Sequence, residues 1–199
     1  IIGANCTGIA GILAFNSSDI EIGDSLIASS GNYFHDLYSG IAVMGDTNMP
    51  FILNNNTSRI GIYNNRFKDI VNCSITGSYP ESQKINGCYG NFFGAGVYAN
   101  FGMVPSTFDA RVDVRNTNDT NTVIRFENCD KAIVTKNAAV RAKNLYLNNN
   151  LMGIMCNGTT GKTLRVENNY VKNGIIGMQF IGNNTDSYVR NNTIDSLTV

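Results

Sequence analysis

Helical periodicity is missing from this 199-residue chain: no window keeps apolar side chains at i, i+3, i+4 and i+7 for several turns. Long helices are therefore excluded, and thirty asparagines with 20 glycines, both turn formers, point the same way. Proline is scarce as well, with only 3. Strands and turns must carry the fold. Net charge is absent, since Lys plus Arg and Asp plus Glu each number 15, so bulk electrostatics draws the chain toward no nucleic acid. No apolar run reaches the roughly 18 residues of a membrane span, and no charged-then-apolar leader precedes Ile1. The single histidine, His35, and the five cysteines, Cys6, Cys73, Cys88, Cys129 and Cys156, show no CxxC pair and no zinc spacing. Neither a metal nor another cofactor is expected. An odd cysteine count leaves at least one thiol unpaired, and Cys129 and Cys156 read as small buried hydrophobes.

What the chain does have is one phrase repeated: Leu145-Tyr-Leu-Asn-Asn-Asn150, Leu164-Arg-Val-Glu-Asn-Asn169 and Ser187-Tyr-Val-Arg-Asn-Asn192. Alternating apolar positions run into an Asn pair, and between copies a Gly leads a second alternating run, as in Gly153-Ile-Met-Cys and Gly177-Met-Gln-Phe. The first Asn of each pair falls at 149, 168 and 191, steps of 19 and 23 residues. A period of about 20–25 residues built from short strands predicts a solenoid whose coils stack. Earlier copies extend the corner into one column of Asp24, Asn64, Asn116, Asn128, Asn149, Asn168 and Asn191. Asparagine suits such a corner because it tolerates a left-handed backbone and its amide can hydrogen-bond from coil to coil. Three segments read as excursions from the stack, near 27–39, 78–94 and 101–110, the last two carrying Pro80 and Pro105. Residues 1–199 thus read as a single all-β segment of about 6–8 coils, and as an excerpt of a longer protein.

The phrase I-x-V-x-N-N, a short gap, then G-I-x-V resembles the right-handed parallel β-helix repeat of pectate-lyase-like proteins. The resemblance covers nearly the whole chain, most strongly from Arg111 onward. It implies the fold while leaving function open, because that superfamily holds polysaccharide lyases, glycoside hydrolases, epimerases, tail spikes, adhesins and structural surface proteins.

Function must then come from sites. Alternation points Ile12, Ile41, Val97, Ile133, Ile154 and Met178 inward, with Ala14, Val43, Ala99, Thr135, Cys156 and Phe180 two residues on. The outward set of these Gly-led strands includes Leu13, Ala42 and Val134 together with Phe15, Met44, Tyr98, Asn100, Lys136, Met155, Asn157, Gln179 and Ile181. That face holds no carboxylate, whereas sugar cleavage by acid-base or nucleophilic chemistry needs a pair. Its apolar stripe is the candidate partner or ligand surface, to be covered by the excursions, a second copy or another segment of the same protein. Asn184-Thr-Asp186 is similar to the start of the polygalacturonase Asn-Thr-Asp-Gly motif, but Ser187 replaces the Gly and the family's other segments are absent. His35-Asp36 reads as a surface pair, and Lys136 as a solvated edge charge. The other strands carry a wet face with Glu21, Asp113, Arg115, Arg125, Glu127, Arg165, Glu167 and Arg190 among Tyr63, Tyr146 and Tyr188. Such a Tyr and Arg ladder could stack on a glycan.

Nine Asn-x-Ser/Thr sequons occur, at Asn5, Asn16, Asn55, Asn56, Asn72, Asn118, Asn157, Asn183 and Asn191. Asn191, in the corner column, is expected to resist modification, and the other eight are candidate glycosylation sites. The expectation is a secreted or surface β-helix scaffold, structural, adhesive or glycan-binding, without a catalytic set. The alternative is a polysaccharide lyase or glycoside hydrolase whose acids sit in an excursion.

Overall fold

A computed structural model describes residues 10–15, 19–44, 57–71, 94–102, 109–117, 123–158, 161–182 and 186–197. The first coil is β1 (Ile12–Phe15), β2 (Asp19–Ile22) and β3 (Tyr33–Leu37), and the second is β4 (Ser39–Met44), β5 (Thr57–Tyr63) and β6 (Arg66–Ile70). The third comprises β7 (Ala95–Asn100), β8 (Asp109–Arg115) and β9 (Ile124–Glu127), and the fourth β10 (Lys131–Lys136), β11 (Ala139–Lys143) and β12 (Tyr146–Asn148). The fifth is β13 (Met152–Asn157), β14 (Leu164–Glu167) and β15 (Tyr170–Lys172), and the sixth is β16 (Ile176–Ile181), β17 (Tyr188–Arg190) and β18 (Thr193–Asp195). Every third strand pairs in parallel with the next, giving three six-stranded parallel sheets that begin with β1, β2 and β3. The described residues form a parallel β-helix of six coils.

The first sheet keeps the inward columns in strict register: Ile12, Ile41, Val97, Ile133, Ile154 and Met178, then Ala14, Val43, Ala99, Thr135, Cys156 and Phe180. From Ile41 to Ile154 and from Val43 to Cys156 these side chains are buried. On the third sheet Phe34, Phe67 and Phe126 stack through the core, with ring centroids 5.1 and 4.7 Å apart. Each fully buried ring contributes about 1.5–3 kcal/mol by leaving water. The leading glycines make room for this ladder. A Cβ at Gly40 would stand 2.5 Å from the Phe67 ring, and one at Gly96 would stand 2.8 Å from the Phe126 ring.

Three strands per coil correct the reading of the repeat. Asn149 follows β12, on the third sheet, whereas Asn168 and Asn191 follow β14 and β17 on the second. The single column predicted from sequence is therefore two columns: Asn64, Asn116, Asn168 and Asn191 follow the second sheet, and Asn128 and Asn149 follow the third. Both corners need an alternating strand that turns into a left-handed residue, so the same words are written at both. Within one column the true steps are 24 residues from Asn144 to Asn168 and 23 to Asn191.

The excursion expected over 27–39 is also corrected, since Tyr33–Leu37 is β3 and buries Phe34 and Leu37. The segment expected over 101–110 ends inside β8. Apart from Gly94, the excursion at 78–94 lies outside the described residues.

Candidate functional site

The corner asparagines divide their labour. Asn64, Asn128, Asn149, Asn168 and Asn191 take positive φ between 53° and 60°, the left-handed region, joined by Asn137, Asn144 and Asn173. Asn116 does not. At the third-sheet corner the Asn149 Nδ2 donates to Asn128 Oδ1 at 2.7 Å, and Asn128 Nδ2 donates to Asp69 Oδ1 at 2.8 Å.

The second member of each doublet, overlooked in the sequence, turns inward and closes the coil below. Asn169 donates to the Ala142 carbonyl at 3.0 Å and accepts from the Leu145 N–H at 3.1 Å. Asn150 does the same with Phe126 and Cys129, and Asn192 with Val166 and Asn169. Asn65, Asn150 and Asn169 are buried, so each amide satisfies backbone groups that would otherwise be stranded. The recurring doublet was the signal.

The third coil has no doublet at its second corner. There Arg125 turns inward at a register shift and donates to the Asn64 carbonyl at 2.6 Å and to Asn116 Oδ1 at 2.9 Å. Arg125 was expected on the wet face; it is buried instead, and burial, reinforced by Arg66, lowers its pKa. Structural work occupies all of these residues.

The outer face of the first sheet is largely closed. Ala95, Tyr98, Val134, Met152 and Met155 form a second apolar cluster outside the coil, flanked by Met44 and Ile176. Tyr98 and Met155 are 6% and 3% exposed within the single chain, so of the covers open to this stripe the chain itself supplies the one over these two residues. Met44, Asn100 and Gln179 are half-buried, while Lys136, Asn157 and Ile181 reach solvent. Of Phe15 only the backbone, paired with Met44, is described. No carboxylate lies in the register columns that contain Leu13 through Gln179 and Phe15 through Ile181.

The second sheet presents the opposite surface. Its outer columns run Arg59, Arg111 and Ala139; then Asp113, Arg141, Arg165 and Tyr188; then Tyr63, Arg115, Lys143, Glu167 and Arg190. Eight of the 15 cations of the chain sit on this face or, as Lys162 does, beside it. Arg115 and Arg190 lie over the Tyr63 and Tyr188 rings, at 4.8 and 4.3 Å. Glu167, 6% exposed, gathers Arg190 at 2.9 Å, Lys143 at 3.8 Å and Arg141 at 4.0 Å. The hydrogen bond from Arg190 holds its carboxyl below the ordinary range, helped by the charges of Lys143 and Arg141.

Within this face a polar cleft of about 430 Å³ crosses the third, fourth and fifth coils. It exists because the small Ala139 is paired with Arg111, leaving a floor between long side chains. Arg111, Arg141, Lys162 and Arg165 line it with Asp109 and Asp113. Asp109 is held by Arg111, Nε to Oδ1 at 2.8 Å, and Asp113 Oδ2 lies 3.2 Å from Arg115 Nε. Burial raises the Asp113 pKa, against the pull of Arg115 and Arg141. Asp113 Oδ1 and Arg141 Nε are buried without a hydrogen-bond partner. The two carboxylates are four residues apart on one strand, hence about 13 Å at the backbone. The sequence showed Arg165 and Asp113, but the cleft depends on a register that only stacking fixes.

The remaining candidates lie elsewhere. His35 Nδ1 and Asp36 Oδ2 are 2.9 Å apart on the third sheet, and His35 stacks on Tyr33. Tyr146 and Glu127, expected on the same wet face, also belong to the third sheet. Cys129 and Cys156 are buried free thiols, and burial pushes Cys156 up to about 12. Of the sequons, Asn157 and Asn191 are exposed; Asn5, Asn16, Asn55, Asn56, Asn72, Asn118 and Asn183 lie outside the described residues. Among the described residues no His, Cys, Asp and Glu group is placed to hold a metal ion, and no helix is long and apolar enough to cross a membrane. No protein-family model, curated protein or solved structure matches the chain.

Proposed function

We propose that this chain is a non-catalytic β-helix scaffold that binds glycans, and that its binding face is the second sheet. One observation carries the reading: an open polar cleft spans three coils, and each of its carboxylates lies against an arginine. Planar, charged and aromatic-backed side chains offer sugar hydroxyls what they need, hydrogen-bond partners and flat surfaces. The three stacked parallel sheets and the corner asparagines support kinship with pectate-lyase-like proteins. The nine sequons support a secreted or surface address, where an adhesive role beside copies of itself fits a rigid rod.

A second reading, a polysaccharide lyase or glycoside hydrolase, is favoured by Asp113, whose raised pKa and unpaired Oδ1 suit a proton-transfer group. Incubation with a panel of insoluble polysaccharides separates the two. Retention of the protein without new chain ends is expected. New reducing or unsaturated ends that vanish in Asp113→Asn would establish the enzyme instead.

A further inference from the structure

We infer that the second-sheet cleft recognises glycans bearing anionic substituents, sulfate or carboxylate, along a chain lying across the coils; this rests on the glycan-binding reading. Arg141 and Arg165 are register partners in consecutive coils, so their stems are about 4.8 Å apart. Arg111 and Lys162 stand on either side of the Ala139 floor. Arg165 is exposed and makes no ion pair among the described residues. Arg141 reaches Glu167 only at 4.0 Å, and its Nε is left without a partner. Next to it in register, Asp113 keeps a buried acceptor unfilled. The exposed Arg165 and the weakly engaged Arg141 suit an anion, and the polar groups that line the cleft beside them suit hydroxyls. A substituted sugar offers both. A DNA phosphodiester backbone supplies acceptors without the hydroxyl donors of a sugar, which disfavours DNA.

The matched probes are dextran, carboxymethyl-dextran, dextran sulfate and a single-stranded thymidine oligonucleotide, each titrated calorimetrically into the full chain. Binding of a charged dextran is expected, weakening with added salt, with plain dextran at least about tenfold weaker. Arg165→Gln, an exposed change that leaves the fold intact, should weaken it about tenfold. Lys172→Gln on the third sheet should not. Whichever charged dextran binds names the substituent. Equal binding of plain and charged dextran, or indifference to Arg165→Gln, overturns the anionic specificity and leaves the glycan reading standing. Binding of no dextran sinks both, and tighter binding of the oligonucleotide with the same Arg165 dependence replaces the glycan by a nucleic acid.

Discussion

The outer faces of the first and second sheets are built on the same coils in the same register, yet they do opposite things. Along the first sheet the outer residues are Ala95, Tyr98, Val134, Met152 and Met155, which lose their water within the chain. Along the second they are charges that hold one another in solution and leave a cleft. A β-helix is thus committed to its fold by its inner columns and its corners, and each outer face is free to become a second core or a surface.

The contrast can be broken most sharply at matched positions. Met155→Asp places an unpaired charge in the covered face and should cost about 3–5 kcal/mol of stability in denaturant melts. A cost below about 1 kcal/mol would show that the face is open. Asn169→Ala sets a corner reference: it strands the Leu145 N–H and Ala142 carbonyl and should cost about 2–4 kcal/mol, whichever face lies beside it.

Glu167 and Asp113, both on the second sheet, should respond to acid with opposite sign. Glu167 has a lowered pKa, so its stabilisation is complete above the ordinary value of about 4.3 and fades as pH falls through the lowered value. Asp113 has a raised pKa, so its ionisation opposes folding above that raised value, and the penalty is relieved as pH falls toward about 3.9. Melts across pH 3 to 7 should therefore show Glu167→Gln losing stability at neutral pH and Asp113→Asn losing none. The reverse order would mean that Asp113, not Glu167, anchors the face. Smallest of all, Arg165→Asp should change stability by no more than about 0.5 kcal/mol, as an exposed substitution does.

The inner columns were readable in advance because alternation with a leading glycine fixes both side and register, as the run from Ile12 to Met178 shows. The number of strands per coil was not, since Asn149 and Asn168 belong to different corners with one chemistry. Arg125 misled for a related reason: its inward turn follows from a register shift against Tyr146 and Leu147, which no local pattern records. Tyr98 and Met155 showed an apolar stripe without showing what lay over it. The cleft escaped because its walls come from coils more than 20 residues apart, and its floor is one alanine that alternation alone would pass over.

Amide hydrogen exchange of the full chain, with and without saturating charged dextran, decides which face binds. Added protection is expected on the strands of the second sheet, centred on β8, β11 and β14, with the first sheet unchanged. Protection confined to β10, β13 and β16 would contradict that assignment and return the binding surface to the first sheet.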